Sequence, residues 1–264
     1  MSLSSGAPFR LILHPQMEGR ENMAVDEALL LRVGGGDNPP VVRLYGFAPP
    51  TLSLGRFQPI RDKLRLGELE RDGITLVRRP TGGQAVLHDH ELTYSVILGK
   101  EHIRPFSKRE IYRFIAGLLL AGLKQLGIEG SLSQNRRGDP RQPDCFGVTG
   151  EYEIVGRQGR KLIGSAQFST RTACLQHGAI PLDDSYRRLK VYLDTESGED
   201  HLPPTSLGEE LGRPVSFLEA REAFATALRS SLPVQPGVLE APELELVQQL
   251  LRSKYSQDAW NLQY

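Results

Sequence analysis

Most strand-like segments in the first two thirds of this chain lie only a few residues apart, and that spacing constrains the fold most. VVRLYG (41–46) and TLSLGR (51–56) are separated by the turn-forming FAPP. ITLVRR (74–79), AVLHD (85–89) and LTYSVILG (92–99) follow through tight connections. EYEIVG, KLIGSAQFST and ACLQHGAIPL, roughly 151–182, read as a meander with RQGR as one turn. Parallel neighbours need a crossover of a dozen or more residues, so strands joined this closely pair mostly antiparallel. FRLILH (9–14) adds a further strand.

Helices punctuate this pattern. NMAVDEALLLRV (22–33) reads as a helix with Asn22 as N-cap and Asp26 and Glu27 in its early turns. Ser107 to Glu110 is a capping box opening a helix that runs to about Leu126, with Gly127 as its stop. Ile111, Phe114, Leu118 and Leu119 repeat there at helical spacing and are expected in the core. After Pro203-Pro204 the chain reads as helical, with a second box from Ser216 to Glu219 and a helix over PELELVQQLLRSKY. The expectation is an α+β fold: one large mixed, mostly antiparallel sheet flanked by helices, with a small helical C-terminal part. Residues 1–205 would form the main domain and 206–264 a helical extension packed on it.

Charge and composition exclude several roles. Lys+Arg and Asp+Glu number 32 each, so no overall basic field argues for nucleic acid. The longest apolar run, IAGLLLAGL (115–123), is too short to span a bilayer, and the N-terminus shows no signal-peptide run. The two cysteines, Cys145 and Cys174, have no C-x-x-C spacing, so neither a metal site nor a disulfide framework is expected. A cytoplasmic protein without a membrane partner, and a monomer, is the simplest expectation.

RRPTGGQAVLHDHELTYSV (78–96) interrupts two strands with chemistry. Gly82 and Gly83 permit backbone conformations closed to other residues and let a ligand lie against bare main chain. With Arg79 before them and His88 after, the turn can hold a phosphate, carboxylate or carbonyl; a plain glycine hairpin would look the same in sequence. The segment matches neither a Walker loop nor GxGxxG. SLSQNRRGDPRQPD (131–144) reads as a polar, mobile loop ending on Cys145, a candidate nucleophile, whereas Cys174 lies in an apolar run and reads as core. Lys161, beside a turn, reads by itself as a solvated charge. Gly164, Ser165 and Ala166 leave room inside a strand for a ligand. His177 satisfies a core hydrogen bond or orients a carbonyl.

Together, NMAVDEALL, RLYGFAPPTLSLGRFQ, RRPTGGQAVLHDHELTYSV, CF…YEIV…GRKLIGSAQ, LQHGAIPL and KYSQDAWN resemble the lipoate/biotin protein ligase superfamily, within it the cysteine-dependent octanoyltransferases. The resemblance implies transfer of an octanoyl group from octanoyl-acyl carrier protein, through a cysteine thioester, to a lysine of a lipoyl domain such as the glycine-cleavage H protein. Cys145 stands at the family's nucleophile position and Lys161 at that of its motif lysine. A nearby ammonium would raise the thiolate fraction, and the same lysine, once neutral, could take the acceptor amine's proton. No cofactor is implied.

An apolar slot lined around Gly82, Gly83 and Gly164 to Ala166 would take the chain, with His88 near the thioester end. Three sequence features separate the chain from the ATP-dependent lipoate ligases that share the turn. Gln84 stands where those ligases usually have a third glycine, Leu92 where they have asparagine, and the ligases do not need Cys145. An amidotransferase moving octanoyl between lipoyl domains, or a non-catalytic acyl-binding module, would also suit this fold.

Overall fold

The computed structural model describes residues 2–3, 6–36, 38–59, 63–133, 153–193 and 203–263. Cys145, and the polar loop before it from residue 134, lie outside the described residues. In chain order the elements begin with β1 (Ser2–Leu3), β2 (Phe9–Met17), α1 (Gly19–Gly34), β3 (Val41–Phe47), β4 (Thr51–Leu54) and α2 (Leu66–Arg71). Next come β5 (Thr75–Arg78), β6 (Val86–His88), β7 (Glu91–Gly99), β8 (Ile103–Arg104) and α3 (Lys108–Gln125). β9 (Ser131–Leu132), β10 (Ile154–Val155), β11 (Lys161–Ser169) and β12 (Ala173–Pro181) make the meander. The remainder is α4 (Leu189–Tyr192), α5 (Leu207–Leu211), α6 (Phe217–Ser231), β13 (Val234–Pro236), α7 (Ala241–Leu250) and α8 (Asp258–Asn261).

The large sheet has eight strands in the order β13-β2-β3-β7-β12-β11-β10-β9. From β3 to β9 every pairing is antiparallel, but only β10–β11 and β11–β12 are joined by short connections; β3 with β7 and β7 with β12 pair across long sequence separations. β2 and β3 are parallel because α1 crosses between them, and β13 joins the edge parallel to β2. The fold is therefore the expected α+β architecture with a large, mostly antiparallel sheet. β13 is a difference: three residues carry too little pattern to read a strand in a stretch that is otherwise helical.

Side-chain alternation along β7 divides the interior into two environments. Leu92, Tyr94, Val96 and Leu98 face an apolar core shared with α3 and α6. In that core Phe224 of α6 packs so closely that a Cβ on Gly122 of α3 would lie 2.4 Å from its ring. Thr93, Ser95 and Ile97 take the other face, towards α1, and there the interior becomes polar. Among the described residues no helix is long and apolar enough to cross a membrane.

Two local expectations change. Glu18, not Asn22, caps α1: its side chain accepts from the Arg20 and Glu21 N–H groups. Asn22 is buried one turn inside and donates to Met17 O and Gly46 O. Since α1 starts at Gly19, Asp26 and Glu27 lie beyond its first turn and have tertiary partners instead. At α3, Ser107 accepts from the Glu110 N–H as expected, and Gly127 ends the helix at φ +84.

The glycine-turn segment does not form a hairpin. β5 and β6 belong to a separate three-stranded sheet ordered β5-β4-β6, in which β4 lies between them. Thr81 to Ala85 must therefore pass across the end of β4. Gly55, just after β4, lies so close beneath that a Cβ there would be 1.8 Å from Gly83 O, and Gly83 itself has φ +92. The C-terminal residues brace the same region, since Trp260 Nε1 donates to Arg78 O at 2.7 Å and the Arg78 N–H donates to Asn261 Oδ1 at 2.9 Å.

Candidate active site

Between the α1-facing side of the large sheet and the small sheet lies a narrow, partly open cleft with a cavity volume of about 20 Å³ and an almost wholly apolar surface. Met23 of α1, Val86 of β6, Gly164 and Ala166 of β11, and Gly178 and Ala179 of β12 supply its apolar lining. Tyr45, Ser53, Arg79, His88, Thr93, Ser165 and His177 supply polar atoms. Its apolar lining suits a slender apolar group, while its volume lies well below that of an ordinary ligand site, so the walls must part to admit one.

Those polar atoms are largely satisfied by one another. Asp26, fully buried, accepts on Oδ1 from Arg43 Nη1 at 2.9 Å and Ser95 Oγ at 2.8 Å. Its Oδ2 accepts from Tyr45 Oη at 2.8 Å and His177 Nδ1 at 3.0 Å. His177 Nε2 then meets Thr81 Oγ1 at 2.7 Å, and Thr81 accepts from Arg79 Nε at 3.1 Å. On the opposite wall His88 repeats the arrangement. Its Nδ1 lies 2.7 Å from Glu91 Oε1 and its Nε2 2.7 Å from Ser53 Oγ, which accepts from Arg79 Nη1 at 3.2 Å. The carboxylate on each Nδ1 makes that nitrogen a donor in both imidazoles, and at His177 leaves Nε2 as the acceptor. His88 also stacks on Phe47, with ring centroids 4.1 Å apart.

Arg79 joins the two chains. Besides the bonds to Thr81 and Ser53 Oγ, it donates to Ser53 O at 3.2 Å, Gly82 O at 2.8 Å and Gln84 O at 2.7 Å. These bonds occupy every N–H donor of a guanidinium. Rather than offering a fork to a phosphate, Arg79 holds the glycine turn against the small sheet. Gly82, Gly83 and Gln84 are not among the lining residues; the turn stands beside the cavity, where a Cβ on Gly83 would lie 4.0 Å from that of Ala166.

Burial governs the protonation of this wall. It would by itself raise the Asp26 pKa, but the His177 hydrogen bond and the Arg43 charge outweigh it and hold the carboxyl below the usual range. His177 is pushed down by burial, with Asp26 opposing, so the ring stays neutral. His14, which accepts from Arg43 Nε at 2.9 Å, is lowered to about 4 by burial and then by the Arg43 charge. Both histidines have folded pKa values below the unfolded 6.5, so the unfolded chain takes up protons first. Their contribution to stability is present above pH 6.5 and is lost as the pH falls from there towards about 4. Thermal unfolding midpoints should fall across that window, and His14→Gln should flatten the fall.

Lys161 overturns its reading as a solvated charge. Its side chain is 2% exposed, and Nζ lies 2.6 Å from Glu153 Oε1. Cys174 is buried core, as expected. The cavity thus brings together Arg79, His88, Gly164, Ser165, Ala166 and His177, while Lys161 begins the strand that lines it. Ser165 bonds Tyr94 Oη at 2.7 Å, and burial pushes the Tyr94 hydroxyl up to about 12.

Sequence reasoning misses Asp26, Ser53, Thr81, Glu91 and Glu153 as parts of the site. An acid amid the apolar residues of NMAVDEALL is the one available signal, and the helix dipole accounts for it just as well. Among the described residues no His/Cys/Asp/Glu group suits a metal ion.

A family model described as the lipoyl protein ligase A/B catalytic domain matches residues 18–229. A Symbiobacterium thermophilum protein named octanoyltransferase LipM is 39% identical, over 96% of this chain and 98% of that one. The Bacillus subtilis protein of the same name is 37% identical, over 91% and 92%. Among solved structures, a lipoate-protein ligase A bound with ATP superposes with a TM-score of 0.82 at 23% identity, over 97% of this chain and 99% of that one. The T. acidophilum protein Ta0514 with bound lipoic acid gives 0.80 at 24% identity, over 97% and 100%. At such identities the structural likeness speaks for the fold alone.

Proposed function

The chain belongs to the lipoyl protein ligase A/B catalytic-domain family, and on that footing we propose that it is an octanoyltransferase of lipoate biosynthesis. One observation carries this reading: similarity to octanoyltransferases at 37% and 39% identity extends over at least 91% of both chains. The apolar lining of the cleft is its physical counterpart, provided the walls part to admit the chain. At ~0.8 kcal/mol per buried CH₂, an eight-carbon chain gains on the order of 5 kcal/mol there.

The donor in this reading is octanoyl-acyl carrier protein and the acceptor a lysine of a lipoyl domain. The Cys145 thiolate attacks the donor carbonyl, a C–S bond forms, and the carrier's thiol leaves. The acceptor amine then attacks the Cys145 thioester; a C–N bond forms, the Cys145 C–S bond breaks, and the amine's proton passes to a base. Lys161 is assigned both electrostatic support of the thiolate and proton transfer. One thioester replaces another and the amide is downhill from it, so no ATP enters.

The direct test is intact mass after mixing the protein with octanoyl-acyl carrier protein in the absence of ATP. A hydroxylamine-sensitive octanoyl adduct is expected on the wild type and none on Cys145→Ser. Activity that appears only with ATP and free octanoate would instead identify a ligase. The cavity has its own test. Ala166→Leu fills the space of roughly three methylenes, which costs an octanoyl donor ~2 kcal/mol, about 30-fold in KM. A butanoyl donor should be little affected, and an unchanged ratio between the two would mean the chain lies elsewhere.

A further inference from the structure

The cleft beside the glycine turn holds about 20 Å³, room for little more than one water molecule. An acyl chain enters only if part of the lining moves, and most of the lining is fixed. Among the polar side chains, Asp26 holds Tyr45 and His177, and Glu91 holds His88 and Thr93. Arg79 donates to Ser53 Oγ, and Ser165 bonds Tyr94 Oη. Gly164, Ala166, Gly178 and Ala179 have no side chain that can swing aside. Val86 is β-branched and stiff at χ1. Met23 is left, an unbranched thioether with three rotatable bonds.

Its place in the cleft matters as much as its freedom. Ser165 and Gly178 are partly exposed, whereas Met23, Tyr45, Ser53 and Thr93 are at most 2% exposed. The cleft thus opens beside β11 and β12 and ends blind against α1. Met23 closes that end, packed in the same apolar cluster as Val25, Leu29 and Phe47.

We propose that Met23 is the specificity-determining residue that both admits the acyl chain and sets its length. The inference rests on the octanoyltransferase reading, since it takes the cleft as the acyl slot. As the chain enters, the Met23 side chain turns aside and its methyl packs on the chain's last carbons. It gives way first because no hydrogen bond has to break, whereas each polar wall residue would lose one. Length selection follows, because a chain longer than the vacated space meets the backbone of α1.

Two substitutions act in opposite directions. Met23→Ile nearly keeps the volume but stiffens the side chain, because a helix leaves a β-branched residue one preferred χ1 rotamer. Its kcat/KM for an octanoyl donor should fall by about tenfold or more. A butanoyl donor stops short of the blind end and should keep its rate. Met23→Ala removes the stop, so a dodecanoyl donor should gain about tenfold or more relative to octanoyl. Each effect is a ratio between donors on one protein sample, so a partly unfolded fraction cancels. Met23→Ile alone decides the matter should Met23→Ala not fold.

Equal losses at every chain length in Met23→Ile, or an unchanged length profile in both variants, would mean that another wall parts and would overturn the inference. Calorimetric affinities for free butanoate, octanoate and dodecanoate should follow the same order without turnover. A wild-type protein that binds these acids but transfers no carrier-bound acyl group refutes the transferase reading, and its affinities still test Met23. A wild type that transfers octanoyl, with unaltered profiles in the variants, refutes only the role of Met23.

Discussion

Lys161→Met, made together with Glu153→Gln, is expected to slow octanoyl transfer by about 10²–10⁴-fold while the protein stays folded. Methionine nearly matches the unbranched lysine stem, so packing beneath the site is largely kept. Replacing Glu153 at the same time removes the carboxylate that an uncharged neighbour would strand. What disappears is the ammonium, 2% exposed at the head of the strand that lines the cavity. Single-turnover transfer from the octanoyl donor, with circular dichroism as the folding control, measures the effect. A folded double variant within about threefold of wild type would reduce Lys161 to a buried counter-ion, since a lost proton-transfer group costs far more.

Asp26→Asn is the second large effect, and it falls on stability first. The Asp26 carboxylate accepts from Arg43, Ser95, Tyr45 and His177, so its acceptor capacity is filled. An asparagine amide must turn two donors towards groups that are themselves donors, and it leaves the fully buried Arg43 without its charge partner. Removing one member of a buried pair typically costs about 3–5 kcal/mol. Urea unfolding should show a lower midpoint with an unchanged slope. In the molecules that remain folded, an amide N–H facing His177 Nδ1 forces the other tautomer. Nε2–H then confronts Thr81, so the link to Arg79 and the glycine turn is disturbed as well. Transfer should therefore fall even at temperatures where the variant is fully folded. Activity that tracks only the folded fraction would limit Asp26 to a stabilising role.

Legibility differs between fold and site. Strand runs, capping boxes and short connections are readable because each is written in local periodicity and in a few residues of fixed chemistry. The Ser107 cap and the Gly127 stop are of this kind. The glycine turn is legible as a special place, but not in its geometry. Gly55 lies far from Gly83 in sequence, and nothing local records that the two backbones nearly touch. Likewise Arg79 reads as a ligand fork because Ser53, which takes two of its bonds, sits on a strand whose adjacency the sequence does not state.

The sequence by itself determined the α+β class with a mostly antiparallel sheet and the region holding the candidate chemistry, because hydrophobic period acts over a few residues, although the central strand pairs join segments distant in sequence. Tertiary structure alone decided that β4 separates β5 from β6, that Lys161 is buried against Glu153, and that Asp26 and Glu91 each hold a histidine on the cavity wall. These outcomes depend on which buried charges and donors meet across long sequence separations. A buried polar group is stable only with its partner, and that partner is chosen by packing in three dimensions.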